Sequence, residues 1–328
     1  MRRLNSRYVI KRILGALLTL WVALTINFLL PRLMGGDPAQ FIASQVAMGS
    51  LEHAELLRVQ FGLDRSLPEQ YIMYMGQLLR GNLGISFSIF PVPVATIIGR
   101  ALPWTLLIVL TSTFISFAIA WVLGVLAALK KGGIYDNLVV ASSFYVQSTP
   151  YFFVAMLLLM VLAFHTGWFP LSHALPSRLP PDLPWFRMIG PIAYHAFLPV
   201  LSLIVVSLAG RMIMMRSNVL QVFSEDYITL AQAKGLHRRT ILGKYALRNA
   251  MLPSFTGLML SLGAAMGGAI ATEMIFSYPG IGLTIMTAIL NHDYPLVQGS
   301  FAVIAVTVVT MNLIADFVYP FLDPRISL

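Results

Sequence analysis

Six long apolar stretches dominate this chain, at about 9–31, 101–129, 138–165, 194–215, 251–273 and 298–322. Each is long enough to cross a hydrocarbon core of about 30 Å. A segment in lipid must satisfy its own backbone hydrogen bonds, and a lone stretch does so only as a helix. The pattern therefore predicts an all-α membrane protein of six transmembrane helices. Composition agrees: 58% of the residues are hydrophobic and 11% charged, against about 25% charged in a soluble domain. The chain has no cysteine, which excludes disulfides, thiolate metal sites and cysteine nucleophiles.

The basic residues set an orientation. The formal charge is +9, which in a membrane protein points to loops on the cytoplasmic side rather than to nucleic acid. With the N-terminus inside, Arg2, Arg3, Arg7, Lys11, Arg12, Lys130, Lys131, Arg211, Arg216, Lys234, Arg238, Arg239, Lys244, Arg248 and Arg325 all fall inside or at an inner flank. Only Arg32, Arg58, Arg65, Arg80, Arg100, Arg178 and Arg187 fall outside. The expected topology is N-in, C-in. Pro31-Arg32 follows the first stretch where a signal peptide would carry small residues, so that stretch is read as an uncleaved helix.

Two segments outside the spans carry information, and they divide the chain into 1–100 (a first transmembrane helix with an extracytoplasmic helical segment) and 101–328 (a five-helix core with a cytoplasmic loop at about 216–250). Within 32–100, Ser66 and Glu69 form a candidate capping box, Pro68 suits a first helical turn and Gly81 a stop. Ile72, Met75, Leu78 and Leu79 are expected to share the face that packs on the bundle. A second short helix is expected at about 51–61, ending at Gly62.

The cytoplasmic segment holds Ser224-Glu225-Asp226-Tyr227-Ile228-Thr229-Leu230-Ala231-Gln232-Ala233-Lys234-Gly235-Leu236. Ser224 is the expected N-cap, with Glu225 and Asp226 in the first turn, where carboxylates complement the helix dipole. Ile228, Ala231 and Gln232 fall on one face, and Gly235 suits the left-handed residue that ends a helix. A second helical stretch from about Arg238 to Asn249 follows. The small residues Ala231, Ala233 and Gly235 are expected at the tip, where they would let a partner approach closely. From the residues alone, a docking knob and a solvated connector both remain open.

A wider pattern resolves the choice. Asp226-Tyr227, Ala231-Gln232-Ala233-Lys234-Gly235-Leu236, Ala246-Leu247-Arg248-Asn249-Ala250 and Pro253 together resemble the cytoplasmic loop of bacterial ABC importer permeases, and more narrowly their dipeptide, oligopeptide and nickel branch. Gly36-Asp37-Pro38, Phe61-Gly62-Leu63-Asp64, Gly81-Asn82-Leu83-Gly84-Ile85-Ser86, Pro91-Val92-Pro93-Val94, Glu273 to Gly282, Asp293 to Gly299 and Asp323-Pro324-Arg325-Ile326 are similar to that branch in the same order. The chain departs from the pattern at Thr229-Leu230-Ala231, where the wider family has Glu-Ala-Ala, and at Asn82, where Asp is usual.

The resemblance implies a type I ABC importer permease fold. It implies a coupling helix, in which Glu225, Asp226, Ala231, Ala233, Gly235 and Leu236 dock on an ATPase rather than catalyse. Arg238, Arg239 and Arg248 are candidates for charge contacts there. The implied partners are a second homologous permease, two ATP-binding subunits and an extracytoplasmic solute-binding protein. ATP and Mg would be bound by the partner subunits, since no G-x-x-x-x-G-K-[ST] phosphate loop occurs in this chain. The binding protein would meet the loops at 32–100 and 274–297. The expected location is a bacterial or archaeal cytoplasmic (inner) membrane, and no cofactor, metal site or nucleic acid is expected.

Three intramembrane positions are further candidates. Gly263 and Gly267 form a GxxxG pair on the fifth stretch, suited to close helix packing or to the pathway. Asp316 is an intramembrane acid, read as a structural hydrogen-bond partner rather than a proton relay. Arg211 is expected to snorkel toward the near interface. His165, His173 and His195 with Met212, Met214 and Met215 lack metal-ligand spacing. A secondary transporter would call for internal repeats or several buried charges, and an intramembrane enzyme for a motif such as HExxH or G-x-S-x-G. Neither pattern is present.

Overall fold

The computed structural model describes residues 6–33, 59, 62–176 and 184–322. Among the described residues the regular structure is helical. Helix α1 spans Ser6–Leu33, α2 Leu67–Leu79, α3 Val94–Leu129, α4 Ile134–Ser148 and α5 Tyr151–Leu158, which runs on as a wider π-helical turn over Leu159–His165. Then come α6 (Trp185–Phe223) and α7 (Asp226–Ala233), and, after a helical turn at Arg238–Thr240 and a second π segment at Ile241–Leu247, α8 (Arg248–Gly268). Helices α9 (Ile270–Ile275), α10 (Ile281–Leu290) and α11 (Tyr294–Leu322) complete the chain. The predicted helix at about 51–61 and the Gly36-Asp37-Pro38 and Asp323–Ile326 motifs lie outside the described residues.

Among the described residues, four helices are long and apolar enough to cross a membrane, at Arg7–Leu33, Val94–Leu129, Trp185–Phe223 and Tyr294–Val318. A fifth candidate is the pair Ile134–Ser148 and Tyr151–His165, bent by 98°. That bend revises the expectation of one straight helix over 138–165. Thr149 is extended at φ −89°, ψ 127°, the conformation a residue preceding proline prefers, and Pro150 brings no N–H to continue the helix. The stretch 251–273 is covered by α8 and α9, which meet at a turn at Ala269. Helix α6 runs well past the predicted 194–215 at both ends. Hydropathy reports where lipid would lie, not where a helix stops, so the more polar Arg216–Phe223 continuation is invisible to it.

The interior is built around α3 and α6. They cross so closely at Gly124 that a Cβ there would lie 2.8 Å from the Met212 carbonyl oxygen and 2.9 Å from Met215 Cβ. One apolar cluster joins Ile108 and Val109 of α3 to Leu198 and Ile204 of α6 and to Phe276 and Tyr278 beyond α9. A second joins Val94, Ile98 and Ala101 of α3 to Ile281, Ile285, Leu296 and Val297 of α10 and α11. Helix α1 lies along α11 and leaves Leu14, Leu17, Leu18 and Trp21 exposed, as expected of a face meant for lipid.

Helix α2 begins as predicted: the Ser66 N–H donates to Glu69 Oε2 at 3.1 Å, and Pro68 sits in the first turn. Gly81, with φ +73°, follows its end. Its packed face matches the expected one in part: Met75 and Leu78 are half-buried on it. Tyr71 and Tyr74 turn inward onto Phe28, while Ile72 and Leu79 point away, 70% and 85% exposed. The reason is polar. Tyr71 pairs with Thr25 through hydroxyl oxygens 2.8 Å apart, and Asn27 donates to Tyr74 Oη at 3.1 Å and to the Gln298 carbonyl at 2.7 Å. Burial raises the Tyr74 hydroxyl to about 12, against the opposing pull of the Asn27 hydrogen bond, so it stays neutral in this setting.

Candidate functional site

The turn from α6 into α7 is tight. Ser224 closes α6 rather than capping α7: its Oγ donates back to the Gln221 carbonyl at 2.7 Å. Glu225 takes the N-cap position at φ −80°, ψ 143°, and Asp226 opens the helix. At the far end the Gly235 N–H donates to Gln232 O at 2.9 Å and the Leu236 N–H to Ala231 O at 3.3 Å. This double closure requires a left-handed residue, and Gly235 supplies it at φ +69°. The expected glycine stop is therefore present, and α7 has eight residues.

One face of α7 is anchored. Ile228 and Ala231 are 0% and 3% exposed and form a cluster with Ile241 and Ala246, against which Val222, Phe223, Tyr227 and Leu236 pack. Asn249 ties the hairpin by donating to Tyr227 Oη at 3.0 Å. The other face is open: Glu225, Asp226, Ala233 and Gly235 are exposed and Leu236 is half-buried. Ala231 is not at the exposed tip, because a position three residues beyond Ile228 shares its face. Gln232, expected beside them, is exposed. Leu230 is 56% exposed, an apolar side chain on the free face that sequence reasoning passed over. The exposed rim continues through Lys234, His237, Arg238 and Arg239. This short helix is buried on one side by its own chain and bare on the other, which leaves a free face for a partner to meet.

The bundle contains polar knots that sequence reading left unassigned. Glu273, fully buried, accepts from Thr105 Oγ1 at 2.6 Å and from the N–H groups of Gly282 and Leu283 at 2.6 and 3.1 Å. It therefore caps α10 and binds it to α3 and α9. Gly282 sits so close that a Cβ there would lie 2.5 Å from Ile270 Cα, which explains the small residue after Tyr278-Pro279. Asp293, also fully buried, accepts from Ser86 Oγ at 2.5 Å, Ser88 Oγ at 2.7 Å and the Leu296 N–H at 3.1 Å. Two motifs far apart in sequence, 81–86 and 293–299, thus meet at one carboxylate. Asp136 takes Arg216 on both oxygens, at 2.5 and 2.8 Å, and fixes the α3–α4 turn to α6. Much of the 274–297 segment is accordingly core.

The intramembrane candidates divide. Asp316 pairs with Arg12 at 3.2 Å and joins α1 to α11. Gly263 and Gly267 lie on the α8 backbone, and their surroundings lie outside the described residues. Arg211 does not snorkel. Its Nη1 donates to Thr113 O at 2.9 Å and to Ser116 Oγ, and its Nη2 to Ser261 Oγ at 3.1 Å. Thr113 is at the midpoint of α3, so the guanidinium is held inside the bundle between α3, α6 and α8.

A helical bundle with several spans apolar enough for a membrane, and a short helix with one bare face at its end, defines a multi-pass membrane protein. Residues 120–328 match the family of binding-protein-dependent transport system inner membrane components, and residues 5–109 match the N-terminal region of the same membrane components. The chain belongs to this family, the membrane permeases of ABC importers. It is 33% identical over 336 residues to the dipeptide transport system permease protein DppB of Escherichia coli strain K12, covering 98% of each chain. It is 33% identical to the oligopeptide transport system permease protein AppB of Bacillus subtilis strain 168, over 98% of this chain and 99% of that one. It is 34% identical to the di/tripeptide transport system permease protein DppB of Pseudomonas aeruginosa strain UCBPP-PA14, over 97% and 98%.

Proposed function

We propose that this chain forms half of the translocation pathway of an ATP-driven importer of di- or oligopeptides in a bacterial or archaeal cytoplasmic membrane. The observation that carries this reading is α7, anchored by Ile228 and Ala231 and bare along Glu225, Asp226, Ala233 and Gly235. In this reading α7 lies in the cytoplasm and docks on one of two ATP-binding subunits, which hold ATP and Mg. A second homologous permease completes the pathway. A solute-binding protein meets the opposite end, at α2 and the exposed parts of 274–297. The chain crosses the membrane six times, N-in and C-in, with α4–α5 as one bent crossing and α8–α9 as another. Residues 1–100 form the peripheral helix and outer segment, and residues 101–328 the pathway core. The peptide assignment follows the printed names of the relatives above.

Co-purification tests the reading. The chain, tagged and extracted in mild detergent beside its neighbours, should bring down ATPase subunits, and Gly235→Pro should lose them by removing the N–H that closes α7. A chain that purifies alone and still drives uptake in vesicles without any ATPase overturns it.

A further inference from the structure

Arg211 is a cation inside the bundle with no acid to answer it among the described residues. Among the described residues, the buried acids and the one intramembrane candidate are engaged elsewhere: Glu273 with Thr105 and the α10 amides, Asp136 with Arg216, Asp293 with Ser86 and Ser88, and Asp316 with Arg12. Hydroxyls and one carbonyl hold Arg211 instead. They take at most three of its N–H groups. A guanidinium has five N–H donors, so Nε–H and at least one further N–H have no acceptor among the described residues. Guanidinium N–H groups make charge-assisted hydrogen bonds to carboxylates.

That residue lines a cavity of about 190 Å³ between α3, α6 and α8, walled by Phe117, Trp121, Met214, Gly257 and Ser261. A water takes about 30 Å³, so the space admits a carboxylate-bearing end of a molecule with some water, not a whole peptide. A charge inside a membrane protein is expensive and marks a pathway or a partner by default. The surrounding hydroxyls fix the guanidinium without neutralising it.

We propose that Arg211 is a binding site for a carboxylate of the solute in transit, taken by its remaining N–H donors; the inference rests on the importer reading above. A peptide carries such a group at its C-terminus and, in acidic peptides, on side chains.

The test uses the complete transporter in proteoliposomes, with three peptides that all load its solute-binding protein: a free acid, its C-terminal amide, and an amide carrying one glutamate. Arg211→Gln should lower ATP-driven uptake of the free acid by about ten-fold, the scale of one charge-assisted hydrogen bond, and leave the neutral amide within about two-fold. A ten-fold fall for the glutamate amide identifies any carboxylate as the ligand; a fall for the free acid alone identifies the C-terminus. Equal losses for acid and neutral amide overturn the proposal, as does unchanged uptake of the acid. Loss of the second permease from the purified Arg211→Gln complex also overturns it, and assigns the arginine to an acid of that partner. Wild-type transport that needs no ATP would instead remove the importer reading itself.

Discussion

At Gly124 the two longest helices meet backbone to side chain, and no β-carbon fits between them. Overpacking a closed site costs about 1–3 kcal/mol, so Gly124→Ala should lower the unfolding midpoint in detergent. Gly99→Ala is the control: the same helix, nothing within 4 Å of the added carbon, and a gain of about 0.5–1 kcal/mol in helix propensity. If the two variants melt alike, the close crossing is not as described. Glu273→Leu keeps most of the volume but takes away every acceptor from the N–H groups of Gly282 and Leu283 and from the Thr105 hydroxyl. Leaving a buried polar group unmatched costs about 1–3 kcal/mol, and thermal unfolding of the purified chain should show it. Neither knot could be read from sequence. Glu273 stood out only as an acid near the end of an apolar stretch, and its meaning depends on Thr105, 168 residues away in the chain.

Helix α7 separates two roles that its sequence blends. Ala231 and Ala233 are both small, but one is 3% exposed and the other lies open. Ala231→Leu should push α7 off Ile241 and Ala246, lowering both thermal stability and ATPase recovery. Ala233→Leu should leave the melt unchanged and reduce recovery alone. A parallel effect of the two on stability would mean that both alanines are packed. The turn chemistry of this element was legible because Gly235 acts locally. Which alanine faces inward depends on Ile241 and Ala246 across the hairpin, so the helix was readable and its orientation only partly so. The same division holds for the larger elements. Apolar length located the four long candidate spans, and Pro150 lies at the 98° break that a hydropathy average runs straight through. The true ends of α6 and the tyrosine face of α2 depend on polar partners in other helices.

For the molecule as a whole, the proposed topology makes a direct prediction, helped by a chain with no cysteine to remove. Lys234→Cys, exposed beside α7, should react with a membrane-impermeant maleimide only from the cytoplasmic side, and Arg187→Cys, at the start of α6, only from the outside. Labelling of both from one side would refute the odd number of crossings between them that a single α6 span requires. Stiffness is distributed unevenly along the path that force from α7 would take. Glu273 rivets α3, α9 and α10 together, and a hydrogen bond of 2.6 Å has little slack before it breaks. The preceding joint at Ala269, where α8 gives way to α9 at φ −79°, ψ −15°, is itself set in the core at 1% exposed. If α7 is loaded as proposed, α8 carries the load toward a clamped end, with Glu273 as the fixed mount beyond it.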